Sequence, residues 1–235
     1  MSAQHEGTIV PATTGPEKQE RNEIVRYRAG TRINHWIVAI SFVLVALSGL
    51  SMFDPLMFWL SDLFGGGAVT RAIHPWIGLV MVVAFFLLAL RVWRDNVMRQ
   101  RDWAWLKQIR EVVANDEADA PEVGRNNAGQ KMVFLVALLC LTLLLLTGLA
   151  IWRAYFAAYF PIELVRLAAL LHAFFAFILI CTIIVHVYAG IWVKGSIRAM
   201  TRGTVSYGWA WKHHRLWFRE VAKGRARDQV RADRP

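Results

Sequence analysis

Four long apolar runs, each free of charged residues, divide the chain. They extend from Ile33 to Phe53, Ala72 to Leu90, Met132 to Trp152 and Leu167 to Val193. A hydrocarbon core about 30 Å thick is crossed by roughly 20 helical residues, so each run is long enough to span a membrane. Because the runs are continuously apolar rather than alternating, they indicate helices and exclude a β-barrel. The pattern predicts an all-α membrane protein, a four-transmembrane-helix bundle with helices at about 33–53, 72–92, 132–152 and 164–193.

The polar segments between and beyond these runs have different characters. Residues 1–23 are rich in Pro, Gly, Thr and Glu and are predicted to be disordered. Up to Arg32, the sequence contains no apolar stretch of the kind that a cleavable signal peptide needs. Within a membrane domain at 24–200, residues 101–114 have apolar positions at helical spacing among basic ones, which indicates an amphipathic segment on the cytoplasmic face. Residues 201–235 are interpreted as a basic cytoplasmic tail, in which His213 and His214 are not expected to be ligands.

The distribution of positive charge predicts the orientation. The chain is 56% hydrophobic and has a mean hydropathy of +0.37, yet its formal net charge is +10. Of its 27 Lys and Arg residues, 24 lie before the first run, between the second and third, or after the fourth. The positive-inside rule therefore places both termini in the cytoplasm of a multi-pass protein of the bacterial inner (cytoplasmic) membrane. These charges are expected to face membrane lipid, with no nucleic acid partner.

Four of the seven histidines lie within the predicted spans, where ionisable side chains are rare and usually functional. On the fourth helix, His172 precedes His186 by close to a whole number of helical turns. At about 100° per residue they share a face, and they stand roughly 21 Å apart along the helix axis. Because the helices alternate in direction, His35 falls at the cytoplasmic level with His186, and His74 at the outer level with His172.

Two histidines from different helices at one depth can supply both axial ligands of a haem iron. The sequence therefore predicts two haems b with bis-histidine iron, one on His35 and His186 and one on His74 and His172. Two haems at different depths would form an electron path across the membrane. Glycines fit this interpretation, because a flat macrocycle packs closely only where side chains are missing. Gly49 follows His35 at the spacing that separates His172 from His186, so it should lie on the same face, near the level of the other haem.

Other chemistries fit the residues less well. A single intramembrane histidine can serve as a hydrogen-bonding group between helices. A non-haem metal site or a proton-coupled transporter would favour carboxylates in the spans, which contain no Asp or Glu. Cys140 and Cys181 are interpreted as small apolar residues, and the absence of a Cys-x-x-Cys-His motif excludes covalent haem attachment. A haem-free membrane anchor or transporter remains an alternative of another class.

Five motifs carry a family resemblance that extends from about residue 24 to residue 219. They are Arg-Ile-Asn-His-Trp at 32–36, Ile-His-Pro-Trp-Ile-Gly at 73–78, Gly-Arg-Asn-Asn-Ala-Gly-Gln-Lys at 124–131, Ile-Trp-Arg-Ala-Tyr-Phe at 151–156 and His-Val-Tyr-Ala-Gly-Ile-Trp-Val-Lys-Gly at 186–195. Together they resemble the gamma, or cytochrome b, subunit of membrane-bound respiratory formate dehydrogenases. Single elements are shared with the cytochrome b subunits of nickel-iron hydrogenases and other quinone-linked reductases, which remain the alternative.

The resemblance implies partners and a second ligand. In that family a molybdenum or tungsten alpha subunit oxidises formate, and an iron-sulfur beta subunit passes electrons to the outer haem. The four matching histidines bind two haems in the pairing given above. The resemblance also implies a site for menaquinone or ubiquinone near the cytoplasmic haem, formed by Asn127, Gly129 and Gln130, and it allows a higher oligomer of the complex.

Overall fold

The computed structural model describes residues 23–110 and 121–232. The prediction of disorder for residues 1–23 lies outside these ranges except for its last residue. Four helices in the described residues are long and apolar enough to cross a membrane: α1 (Ala29–Phe53), α2 (Gly67–Asn96), α4 (Ala128–Ile151) and α5 (Ile162–Trp192). The expected four-span helical architecture is thus present. Each helix begins several residues before its apolar run, because a helix continues beyond the hydrocarbon depth where charged side chains are solvated.

Shorter elements connect and follow these helices. They are β1 (Glu23–Val25), a 3₁₀ helix (Pro55–Phe64), α3 (Gln100–Lys107), a second 3₁₀ helix (Ala157–Tyr159), α6 (Ser196–Thr201), β2 (Thr204–Ser206), α7 (Tyr207–His213) and α8 (Arg215–Ala232). The amphipathic segment expected at 101–114 is therefore represented by α3, and residues 111–114 fall outside the described ranges. The segment interpreted as a tail, 201–235, contains a strand and two helices.

The chain divides into two compact units, and each is described by itself. The span unit comprises Ile33–Val92 and Val133–Val187. Its core is apolar and is formed by side chains of α2, α4 and α5, namely Met81, Val82, Phe85, Ala89, Ala137, Cys140, Leu141 and Leu179. Next to His35, the buried Asn34 donates from Nδ2 to the backbone oxygen of Ala84 at 2.6 Å, which fixes α1 against α2 beside a candidate ligand.

The terminal unit comprises the described residues of Met1–Arg32, Trp93–Met132 and Tyr188–Pro235. Strand β1 pairs antiparallel with β2, with Ile24 opposite Val205, and both side chains are buried. The turn before β2 requires glycine: Gly203 has φ +88°, and its carbonyl accepts from the backbone nitrogens of Arg26 at 2.8 Å and Tyr27 at 3.2 Å. Residues 23–27 and 203–206 therefore fold together, although four spans separate them in the sequence.

Arg26 is the most unusual group of the terminal unit, because its side chain is 1% exposed. Its Nη2 donates to the backbone oxygen of Arg125 at 2.6 Å and lies 3.3 Å from Nε2 of His214. The guanidinium carbon lies 5.1 Å from the ring centres of both Trp209 and Trp217. Aromatic faces stabilise a desolvated cation, and the protein supplies them here in place of water. Burial lowers the pKa of Arg26 from its ordinary value.

Candidate haem-binding sites

The structure brings the four span histidines together as two pairs. The ring centres of His35, on α1, and His186, on α5, lie 6.3 Å apart with an interplanar angle of 57°. Those of His74, on α2, and His172, on α5, lie 6.4 Å apart at 67°. These are the pairs that alternating helix direction predicted. Three different helices contribute, and α5 supplies one histidine to each pair.

The ring separations fit an iron atom held between two imidazoles. Two metal–imidazole bonds of about 2 Å, with each ligating nitrogen about 1.1 Å from its ring centre, place the centres roughly 6.2 Å apart. The observed separations of 6.3 Å and 6.4 Å agree with this value. In the described residues, no cluster of three or more His, Cys, Asp or Glu side chains could hold a metal ion. Each pair therefore offers two imidazoles, which would be enough protein ligands to hold a haem iron.

Hydroxyl groups hold both rings of the His74–His172 pair. Ser48 Oγ lies 2.8 Å from Nδ1 of His74, and Thr147 Oγ1 lies 2.9 Å from Nδ1 of His172. Each hydroxyl also donates to a carbonyl of its own helix, from Ser48 to Val45 at 3.1 Å and from Thr147 to Leu143 at 2.7 Å. A hydroxyl that donates to its own helix can accept from Nδ1–H. In that arrangement Nε2 of each ring carries no hydrogen and is free to bind a metal.

Glycines next to these hydroxyls leave room for the rings. A Cβ at Gly49 would lie 3.4 Å from Cε1 of His74, and one at Gly148 would lie 3.2 Å from Cε1 of His172. The prediction that Gly49 lies near the other pair's level agrees with this contact. The space that Gly49 and Gly148 leave open is occupied by the imidazole rings themselves. A Cβ at Gly78 or Gly190 would meet nothing within 4 Å.

The His35–His186 pair has different surroundings. Nδ1 of His35 is buried and has no hydrogen-bond partner within residues 23–110 and 121–232. An aromatic neighbour of that ring is Trp36, edge-on at 5.7 Å. The two imidazole pairs have nearly equal spacing, but they differ in what contacts Nδ1 of the ring.

Asn127 and Gln130, predicted to bind quinone, form the N-terminal cap of α4 in the terminal unit. The backbone nitrogen of Asn127 donates to Oε1 of Gln130 at 3.0 Å, and that of Gln130 donates to Oδ1 of Asn127 at 2.8 Å. This is a reciprocal capping box. A Cβ at Gly129 would lie 3.7 Å from the ring of the buried Trp105.

Lys131, the next residue, forms a buried ion pair. Its Nζ lies 2.7 Å from Oδ2 of Asp102 and donates to the backbone oxygen of Val97 at 3.0 Å. The side chains of Lys131 and Asp102 are 4% and 6% exposed. The pair joins α3 to the beginning of α4 within the terminal unit, so the three predicted quinone residues lie at a fixed point of that unit.

Comparison with known proteins gives the family. The sequence pattern of prokaryotic cytochrome b561 matches residues 26–203, most of the chain. The chain belongs to this family. It is 46% identical over 205 residues to the formate dehydrogenase cytochrome b556(fdo) subunit of Escherichia coli strain K12, which covers 87% of this chain and 96% of that protein. The nitrate-inducible formate dehydrogenase cytochrome b556(Fdn) subunit of the same strain is 44% identical over 88% of this chain and 95% of its own length.

A third relative comes from another organism. The formate dehydrogenase cytochrome b556 subunit of Haemophilus influenzae is 42% identical, over 84% of this chain and 83% of that protein. The resemblance drawn from the five motifs is confirmed. Together, the family and the four apolar helices show that the chain is a membrane cytochrome b related to subunits of an oxidoreductase complex.

Sequence reasoning missed Ser48 and Thr147, although a signal was present. Residues 47–50 are Leu-Ser-Gly-Leu and residues 146–149 are Leu-Thr-Gly-Leu, one in α1 and one in α4. Each tetrapeptide supplies a hydroxyl to a histidine nitrogen and a glycine that admits the same ring. A Ser-Gly or Thr-Gly pair that recurs in two spans could therefore have indicated which residues contact the span histidines.

Proposed function

We propose that this cytochrome b561 protein binds two haems b, one between His35 and His186 and one between His74 and His172. The observation that carries the proposal is the nearly equal spacing of the two imidazole pairs, 6.3 Å and 6.4 Å, on three apolar helices. Haem iron supplies one-electron redox chemistry. The histidines would hold the iron.

The proposed path of electrons follows from this placement and from the relatives. With both termini cytoplasmic, His74 and His172 lie toward the outer side and His35 and His186 toward the cytoplasm. As the matched relatives are formate dehydrogenase subunits, the proposed donor is an iron-sulfur subunit that serves a molybdenum or tungsten subunit. Electrons moving inward would oppose a membrane potential, and each charge stores about 2.3 kcal/mol per 100 mV.

The proposed acceptor is a quinone bound by Asn127, Gly129 and Gln130. The capping box engages only the amide oxygens of Asn127 and Gln130. Their NH₂ groups are donors that the box does not use, and quinone carbonyl oxygens are acceptors. Gly129, between them, presents no side chain. Two electrons that arrive through the haems, together with two protons taken from the cytoplasm, would convert the quinone to a quinol.

Haem content tests the first part of the proposal. The purified protein should contain two haems b per chain and show a sharp reduced alpha band, because both irons are low-spin with two imidazoles. His186→Ala should leave one haem and abolish quinone reduction by formate, while formate oxidation with a soluble acceptor continues. A wild-type protein that binds no haem would overturn the proposal. Loss of both activities in an intact complex would argue against the electron path.

Two substitutions test the quinone site while keeping the cap. Asn127→Asp and Gln130→Glu retain the oxygens of the capping box but remove the NH₂ donors, and acidic residues are favourable at a helix N-terminus. Loss of one hydrogen bond should raise the KM for quinone about threefold to tenfold. Reduction of the haems by dithionite should be unchanged. An unaltered KM in both variants would assign these residues to capping alone.

A further inference from the structure

The two histidine pairs differ in a way that bears on electron energetics. In the His74–His172 pair both Nδ1 atoms contact a hydroxyl, at 2.8 Å and 2.9 Å. In the other pair, Nδ1 of His35 is buried and has no partner within the described residues, and His186 is exposed. The two pairs therefore differ at Nδ1, which has a hydroxyl neighbour in His74 and His172 and none in His35.

Each contact is one step of a directed chain of hydrogen bonds. With iron on Nε2, Nδ1–H of His74 would donate to Ser48, whose hydroxyl donates to the carbonyl of Val45 at 3.1 Å. In the same way, Nδ1–H of His172 would donate to Thr147, whose hydroxyl donates to the carbonyl of Leu143 at 2.7 Å. Hydrogen bonds in such a chain polarise one another, and the surrounding dielectric is low. Both hydroxyls are therefore stronger acceptors than an isolated hydroxyl would be.

An acceptor on Nδ1–H draws positive charge from the imidazole and makes the ring a more basic ligand. A more basic axial ligand stabilises ferric over ferrous iron, which lowers the reduction potential. We propose that Ser48 and Thr147 are positioning residues that lower the potential of the haem held by His74 and His172 relative to that held by His35 and His186. The inference rests on the proposed binding of two haems.

The consequence is a direction for the electron. With haems bound, one electron would pass from ferrous iron held by His74 and His172 to ferric iron held by His35 and His186, with no proton gained or lost. Hydrogen bonds at the first site favour this transfer because they stabilise its oxidised product. The repetition of the device on α1 and α4, one for each ligand, argues that both axial bonds are adjusted together.

Optical redox potentiometry of the purified, haem-containing protein tests the inference. The wild type should give two one-electron components. Ser48→Ala and Thr147→Val each remove a hydroxyl, and each should raise the potential of the lower component alone. The expected change is about a two- to tenfold increase in its reduced-to-oxidised ratio at a fixed poise, at most about 59 mV for a one-electron couple.

The chain offers matched controls on the same two helices. The hydroxyl of Ser41 donates to Ile37 at 2.7 Å, and that of Thr142 donates to Leu138 at 2.7 Å. Neither has a hydrogen bond to a histidine among those of the described residues, so Ser41→Ala and Thr142→Val should leave both components in place. Thr147→Ser keeps the hydroxyl, and it should retain the wild-type potentials.

The outcomes separate the hydroxyl effect from packing and from haem binding. Two haems with unshifted potentials in both Ser48→Ala and Thr147→Val, or equal shifts of both components, would overturn the inference and leave the proposed function intact. A shift in Thr147→Ser as large as in Thr147→Val would also overturn it. If Ser48→Ala retains a single haem, the comparison of Thr147→Val with Thr147→Ser tests the inference instead. Absence of haem from the wild type would instead refute the proposed function.

Discussion

The span unit and the terminal unit bury different kinds of polar group. In the span unit the buried polar side chains are hydroxyls and one amide, such as Ser48 and Asn34, which bond within or between helices. The charged side chains that are buried in the described residues, Arg26, Asp102 and Lys131, all belong to the terminal unit. The first unit can be assembled mainly from apolar surface, whereas the second depends on matched charges and aromatic faces.

Histidine shows what this difference means for function. His74 and His172 each use one ring nitrogen for a hydroxyl and keep the other. His214, which is 1% exposed, uses both: Nδ1 lies 2.8 Å from the carbonyl of Gly124, and Nε2 lies 3.3 Å from Arg26. A buried histidine with both nitrogens engaged is a structural residue. One with a free nitrogen opposite a second imidazole is a candidate ligand.

The largest expected effect separates these two classes of histidine. His172→Ala removes a proposed haem ligand and should eliminate one of the two proposed haems, because a single imidazole would hold that haem poorly. His214→Gln should retain both haems, since that side chain provides no ligand. The pyridine haemochrome content per chain measures both. Loss of haem in His214→Gln to the same extent as in His172→Ala would break the distinction.

Next in size is the loss of a buried charge partner. Lys131→Met leaves the carboxylate of Asp102 buried without its cation and should cost about 3–5 kcal/mol of terminal-unit stability. Lys131→Met combined with Asp102→Leu removes both charges and should recover most of that loss. Limited proteolysis of the purified protein across a temperature series measures the effect. Equal destabilisation in the single and double variants would contradict the argument.

A backbone substitution tests how tightly the terminal unit is specified. A Cβ at Gly203 would lie 2.7 Å from the backbone oxygen of Tyr27, at a φ of +88°. Gly203→Ala should cost about 1–3 kcal/mol from the backbone conformation, with a further cost from this contact. Gly208→Ala is the control, because a Cβ there meets nothing within 4 Å. The same proteolysis assay should show a loss for the first variant and none for the second.

The smallest effect is a pH dependence confined to the terminal unit. Burial holds the pKa of His214 well below 6.5; the cations of Arg26 and Arg125 and the neighbouring His213 lower it further, while its bond to Gly124 opposes them. Because the unfolded chain binds a proton at His214 near pH 6.5 and the folded unit does not, stability is complete above that pH. Below it, stability falls by up to about 1.4 kcal/mol per pH unit. His214→Gln should flatten this slope between about pH 6.5 and 5.5, and an unchanged slope would assign it to other groups.

The four spans follow from sequence because a bilayer requires one property over a fixed length, and that property is visible residue by residue. The observed helix ends differ from the predicted ones by several residues. Arg71 and Arg94, for example, lie outside the second apolar run but inside α2. The pairing of histidines also follows, because helix direction determines depth. The structure places the expected residues together, while ligation and quinone binding remain proposals.

The terminal unit could not be predicted in the same way. Its order depends on Arg26, Trp209, Trp217 and His214. Arg26 and His214 are 188 positions apart in the sequence, and no periodicity of the intervening residues joins them. A basic segment with scattered tryptophans is equally typical of a membrane-surface tail. The polar start of α4 was similarly ambiguous, and the capping box shows how one amide pair can begin a helix and still offer donors.

The pairing of β1 with β2 also imposes an order on biosynthesis. Ribosomes deliver Arg26 early, yet its partner His214 follows only after the fourth span. All four spans must therefore be synthesised before the guanidinium can contact Trp209, His214 and Trp217. Until then the cation stays hydrated, and hydration opposes its passage through the bilayer. A protein truncated before residue 204 lacks the strand that pairs with β1, so residues 23–25 should remain open to proteases.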